Sequence, residues 1–374
     1  MTILHTDTPT REQLDRLFTA RDAASVSIYL TTDPASDGAG ERIAMKNAAS
    51  SAVEQLADAG AHKADLAAIT EELEGLVDDH EFWRYRARTL GVLATPTTVR
   101  TFRLATTLAA DIVEVSDRFL VKPLLRAVAF PQAALILALS QGSVRLVELV
   151  ADAAPFDVAV PGLPDSAADA VGKASIADRS PARRLTGSEG HKVLVTQYAR
   201  QVDHAIRSTV TAAGLPLILV AASPTDELFR AVCSYPGLVA ESVNESPEGL
   251  SDSELVTAAR RVLDDVHTQK LRGLLASYEA LAGQDRTETD LATLARAATY
   301  GMVATLLVDL DAFVPGTVDD DGALVYAETD DAHTYGVTDE IARRTWLAGG
   351  DVIPVRQDQL PGPTPATGLL RWAF

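Results

Sequence analysis

The residues best suited to chemistry lie between Lys173 and Arg207. A small-residue turn, Gly187-Ser188-Glu189-Gly190, runs directly into His191-Lys192, with Arg179, Arg183 and Arg184 before it and Arg200, His204 and Arg207 after it. Glycine at 187 and 190 permits positive φ and close approach of backbone to a ligand. Guanidinium groups beside such a turn suit bidentate contact with phosphate. The window holds seven Lys/Arg against Asp178, Glu189 and Asp203, a net of +4 in a chain of formal charge −19, which leaves −23 for the rest. A basic finger on an acidic body fits a protein that inserts one segment into RNA, because the body itself repels polyanions. The bland alternative is a solvated loop followed by an amphipathic helix.

Other chemistries find little support. No Gly-x-Ser-x-Gly elbow occurs, and Ser188 with His191 is only a local pair. His191 and His204 are 13 positions apart, no His-Glu-x-x-His is present, and Asp319-Asp320-Asp321-Gly322 lacks the later acidic ligands of a calcium loop. Neither a Walker nor a Rossmann glycine motif appears. No metal and no cofactor is therefore expected. Cys233 is the one cysteine, so no intramolecular disulfide can form; it is expected as a buried structural thiol, and the cytoplasm is the expected compartment. Gly187-x-x-Gly190 also fits the KH loop pattern, but that loop joins two helices and here follows a polar stretch. No signal peptide is expected from the first residues, and no run approaches the roughly 20 apolar residues of a membrane span.

The elements that must position this finger read as α/β. Val26 to Leu30 is expected as a strand, and Glu41 to Ala59 and Ala64 to Val77 as helices. Val92 to Leu104, with Pro96-Thr97-Thr98 at its centre, reads as a hairpin. Forty-five positions later Leu137 to Leu149, turning at Gln141-Gly142-Ser143, repeats the pattern. The stretch Asp117 to Pro131 reads as the join between two domains. A strand is expected from Phe156 to Val160, a polar loop over 165–190, a helix over about His191 to Ala213 and a strand over Leu217 to Ala221. Val195, Tyr198, Val202 and Ile206 form the helix's apolar face; Gln197, Arg200, His204 and Arg207 lie opposite. A long helix follows from about Ser251 to Ala282, then a small α/β/α unit from Gly283. The expected fold class is α/β and α+β multidomain, with domains at 1–130, 131–282 and 283–374.

The chain resembles the bacterial archaeo-eukaryotic release factor families, relatives of the class-one peptide-release factor and of Pelota. The resemblance covers most of the chain. It rests on Ala134 to Val150, on Gly190-His191-Lys192 running into Tyr198-Ala199-Arg200-Gln201-Val202-Asp203-His204, on Phe119-Leu120-Val121-Lys122-Pro123-Leu124-Leu125, and on the terminal Leu369-Leu370-Arg371-Trp372-Ala373-Phe374. It implies an N-terminal α/β domain, a ribonuclease-H-like middle domain and a C-terminal domain like the kink-turn-binding ribosomal proteins. The family's catalytic loop carries Gly-Gly-Gln. Gly187, Ser188 and Glu189 stand in those places and become the candidate catalytic residues, although an ionised Glu189 can donate no hydrogen bond. Arg179, Arg183, Arg184, His191, Lys192, Arg200, His204 and Arg207 become candidate RNA contacts. The implied function is a cytoplasmic, ribosome-associated factor that enters the A site in rescue or hibernation. Its partners would be ribosomal RNA, peptidyl-tRNA, ribosomal proteins and a translational GTPase, with no membrane and no DNA. Alternatives are a peptidyl-tRNA hydrolase working through Gly187 to Gly190, and a non-catalytic protein-binding module using the acidic stretch Asp309 to Asp331.

Overall fold

The computed structural model describes residues 9–33, 36–131, 133–150, 155–170, 188–328 and 334–373. The chain forms two compact units, one built from residues 1–130 with 271–374 and the other from 131–270. It is a mixed α/β multidomain protein.

The first unit opens with α1 (Arg11–Thr19), whose Thr10 and Gln13 close a reciprocal capping box. Its Leu14, Leu17 and Phe18 are buried. Strand β1 (Ser25–Thr31) lies at the centre of a four-stranded antiparallel sheet ordered β3-β2-β1-β4, with β2 (Thr89–Thr95), β3 (Thr98–Leu104) and β4 (Ile112–Ser116). Helices α2 (Ala39–Asp58) and α3 (Lys63–Asp78) cover one face. Gly91 lies under the Tyr29 ring; a Cβ there would sit 2.8 Å from the ring edge, so the position requires glycine. The stretch expected as an interdomain join instead holds α4 (Lys122–Ala129), with Lys122, Pro123, Leu124, Leu125 and Ala127 buried. Proline at the start of a helix is preorganised for it rather than disruptive.

The second unit is a four-stranded sheet ordered β7-β6-β5-β8, from β5 (Ala133–Leu139), β6 (Val144–Val150), β7 (Phe156–Asp157) and β8 (Leu217–Val220). The hairpin expected at 137–149 is β5 with β6, paired Leu139 to Val144 at the turn. β8 runs parallel to β5. Every residue of β5 and β8 is buried, which is why both read as continuous apolar runs without alternation. Ser188–Ala213 form α5 and Thr225–Arg230 form α6. Helix α7 (Asp252–Ala282) packs Leu255, Ala259, Val262 and Leu263 on the sheet beside Ile136 and Ile218.

The chain returns to the first unit with β9 (Thr287–Glu288), α8 (Leu291–Thr299), β10 (Val303–Asp309), β11 (Pro315–Val318), β12 (Leu324–Tyr326), β13 (Tyr335–Gly336), α9 (Val337–Leu347), β14 (Asp351–Val355) and β15 (Ala366–Leu370). These form one sheet ordered β14-β10-β15-β9 and a smaller one ordered β12-β11-β13. The two outer segments share a single apolar core, in which Leu14, Leu17, Tyr29 and Phe102 lie with Leu294, Val308, Ile341 and Trp346. Residues 283–374 therefore pack within the same compact unit as residues 1–130.

Candidate nucleic-acid interface

Helix α5 carries the part of the basic finger that can be described. Its buried stripe, Val195, Tyr198, Ala199, Val202, Ile206 and Val210, is at most 2% exposed and follows i, i+3/i+4 spacing. This reproduces the apolar face read from the sequence. Lys192, Gln197, Arg200, His204 and Arg207 are all exposed on the remaining surface. Lys192, Arg200 and His204 fall on one i+4 ridge, and the basic row from 192 to 207 runs about 22 Å along the helix axis at 1.5 Å per residue.

Arg207 is different. Its guanidinium donates to Asp203, one turn back, at 2.6 Å. Asp203 is 3% exposed and also accepts from the Ser234 backbone N–H at 2.9 Å and from Ser234 Oγ at 3.1 Å. Burial alone would push this carboxyl up; the Ser234 donors and Arg207 overcome it and hold the group below the usual aspartate range. Arg207 is thus half-neutralised, a positioning residue more than a free phosphate contact. Ser234 lies 31 positions from Asp203 and carried no signal in the sequence. Cys233, beside it, is half-buried, and burial pushes its thiol up, away from nucleophilic use.

Replacing Asp203 by Ala should remove about 2–3 kcal/mol of stability, because it deletes charge-assisted bonds and strands the Ser234 N–H. Urea denaturation followed by circular dichroism measures this. The folded carboxyl lies low, so the wild-type advantage should be full at neutral pH and fade as pH falls below the ordinary aspartate value.

Of the other candidates, Arg179, Arg183, Arg184 and Gly187 lie outside the described residues. Ser188, Glu189 and Gly190 form the first turn of α5, which begins three positions earlier than the expected His191; His191 follows in the same helix. Among the described residues, no group of three or more His, Cys, Asp or Glu is placed to hold a metal ion, and no helix is long and apolar enough to cross a membrane.

Residues 131–269, which contain α5 and the sheet it accompanies, match the family model of bacterial archaeo-eukaryotic release factor family 11. The likeness to that family is therefore shown for the second unit. Comparison with the curated proteins gives no match. Among solved structures the chain is similar to the archaeal translation termination factor aRF1, at 12% identity and TM-score 0.25 over 96% of each chain. It is similar to archaeal Pelota in a ribosome-bound model with ABCE1, at 15% identity and TM-score 0.41 over 74% of this chain and 72% of that one. It is also similar to S. cerevisiae Dom34, a termination-like factor that interacts with Hbs1, at 10% identity and TM-score 0.39 over 74% and 73%.

Proposed function

We propose that the protein is a ribosome-associated, release-factor-like factor of the cytoplasm that enters the A site during rescue or hibernation. The observation that carries this is the release-factor family match over 131–269, the same segment whose helix α5 exposes Lys192, Arg200 and His204. The order β7-β6-β5-β8, a meander with β8 added parallel to its first strand, supports a ribonuclease-H-like middle domain. Arg179, Arg183, Arg184, Lys192 and Arg200 would meet ribosomal RNA, with His191, His204 and Arg207 at the margin. Residues 283–374 would present the ribosomal-protein-like surface, and a translational GTPase or ribosomal proteins would be further partners.

Cosedimentation with bacterial ribosomes tests this. The wild type should pellet with ribosomes at low salt and dissociate as salt rises, since each phosphate contact adds about 0.7–0.9 to the log–log salt slope. Charge reversal at Lys192 and Arg200, or at Arg183 and Arg184, should weaken association at least about tenfold. Absence of association, or equal association by the variants, overturns the proposal.

Hydrolysis of peptidyl-tRNA is the second reading, favoured only by the place of Gly187-Ser188-Glu189 in the family's Gly-Gly-Gln loop. Its comparison is wild type against Glu189→Gln on stalled nascent-chain complexes. Release by the variant alone would mean that the native residue suppresses the reaction; release by neither rejects this reading.

A further inference from the structure

Residues 39–81, which span α2 and α3, hold ten Asp/Glu against Arg42, Lys46 and Lys63, a net of −7. From Glu71 to Glu81 there are six acids and no Lys or Arg. Helix stability does not explain this placement. A helix C-terminus favours cations, yet neither α2 nor α3 has a basic residue in its last turn, and α3 ends in Asp78 with Asp79 as its cap. The charge works against the helix that carries it, so its use lies outside that helix.

The two helices run antiparallel, joined by a short turn from Ala59 to His62, and Arg42 Nε donates to the Val77 carbonyl at 3.0 Å. Between them lies a groove of about 480 Å³. Its floor is apolar: Ala49, Val53 and Val77 are the outer surface of the core that holds Ala52 and Leu73. Its walls carry the carboxylates of Glu54, Glu74 and Asp78, all exposed. Lys46 is the one cation on this lining, and Arg42, at the end of the groove, is turned onto Val77 O and lies 4.0 Å from Asp78. Ile43, 63% exposed, begins the α2 ridge that continues through Lys46, Ser50 and Val53 at three- and four-residue spacing. From Ile43 to Glu54 the ridge runs about 16 Å, roughly three helical turns.

We propose that the α2–α3 groove docks a basic amphipathic helix of a partner protein, with the apolar stripe of that helix on Ile43, Val53 and Val77 and its Lys or Arg residues against Glu54, Glu74 and Asp78. An apolar floor anchors such a helix, and flanking carboxylates select a cationic one. The charges decide the occupant. RNA would meet carboxylates where it needs cations. A second copy of this chain, itself at −19, would set one acidic surface against another. A cationic helix matches both floor and rim, and its charges complement the C-terminal dipole of α3. The inference is independent of the RNA contacts proposed for α5, which lies in the other unit.

The test uses the full chain and a fluorescein-labelled Leu/Lys peptide of about 18 residues whose leucines fall on one helical face, with a scrambled peptide of the same composition beside it. Fluorescence anisotropy at ~50 mM salt should show the amphipathic peptide bound at least about tenfold more tightly than the scrambled one. Glu74→Lys with Asp78→Lys should weaken binding about tenfold and flatten its salt dependence, since exposed rim charges act through screened attraction. Ile43→Ser, at an exposed position, should weaken it about threefold by removing an apolar anchor. Asp264→Lys with Asp265→Lys makes the same change of net charge at exposed positions of α7 and should leave binding within about twofold. Tryptophan fluorescence checks folding, with Trp83 Nε1 donating to Leu76 O on α3. If the Lys pair does not fold, Glu74→Gln with Asp78→Asn replaces it. No binding of the amphipathic peptide by wild type, equal binding of the scrambled one, an equal loss in the α7 variant, or wild-type affinity in the folded Glu74 and Asp78 variant overturns the proposal.

Discussion

Glu340→Ala should destabilise the first unit by about 3–5 kcal/mol, the cost of breaking a buried ionic cluster from one side. Glu340 is 1% exposed. It accepts from Arg343 Nε at 2.7 Å and Nη2 at 2.8 Å, from Arg344 Nε at 2.7 Å, and from Arg118. Burial alone would raise its pKa; the Arg343 hydrogen bonds and the charges of Arg118 and Arg343 overcome that and bring it down to about 2. Its partners reach further. Arg344 also donates to Thr299 Oγ1, Asp319 O and Val318 O, while Arg118 lies 3.7 Å from the Tyr335 ring centroid and pairs with Asp117. One carboxylate thus organises three guanidinium groups that connect the end of β4 to α8, α9 and the small sheet. Alanine leaves all three without their shared anion.

Trp83, Trp346 and Trp372 all lie in this unit, so tryptophan fluorescence during urea denaturation reports it selectively. Glu340→Gln keeps the shape and should fall between wild type and Ala. Because the folded pKa is depressed, the charge's contribution is present above the ordinary glutamate value and is lost as pH falls toward about 2. The gap between wild type and the Gln variant should therefore narrow below about pH 4.5. A loss under about 1 kcal/mol for Ala at pH 7 would mean that the cluster relaxes around the gap.

None of these partners was visible in the sequence. Arg118 and Glu340 are 222 positions apart, and no local pattern relates them. What was legible is local. β2 with β3, and β5 with β6, declared themselves through β-rich runs around turn residues, and α5 through its 3.6-residue stripe. Helix α4 lies in the stretch that reads as an interdomain join, and its Pro123 stands in the first turn, where proline is favourable. The start of α1 is marked in the sequence only by Thr10 and Gln13 at capping-box spacing. β4 and β11, five and four residues long, lack the continuous apolar run that marks the equally short β8. For the candidate site, spacing separated the buried and exposed faces of α5, while Arg179, Arg183, Arg184 and Gly187 lie outside the described residues. The Asp203–Ser234 latch, which decides that Arg207 is half-neutralised, required the fold.

The neighbour of Glu340 on α9 leads to the opposite pH behaviour. Asp339 is buried, and the Lys122 ammonium, itself 3% exposed, sits 3.5 Å from Asp339 Oδ2 while also donating to Ala312 O at 2.6 Å. Asp339 Oδ1 has no partner among the described residues. Burial raises this carboxyl above the usual range, and Lys122 only partly offsets the effect. Lys122→Met would keep the volume of the stem and remove the charge that holds Asp339. The expected loss is about 3–5 kcal/mol at neutral pH, because a buried carboxylate is left uncompensated. The sign then follows from the raised folded pKa. Stability is fully present below the unfolded aspartate value and is lost as pH rises through the folded one, so the variant should lose more against wild type at pH 8 than at pH 5. Asp339→Asn added to Lys122→Met removes the titrating group. It should recover much of the loss and flatten the pH difference, giving a large coupling energy in the double-mutant cycle. If the Lys122→Met deficit is the same at both pH values and Asp339→Asn adds to it independently, then Lys122 stabilises through its bond to Ala312 and its packed stem, and the ion pair contributes nothing.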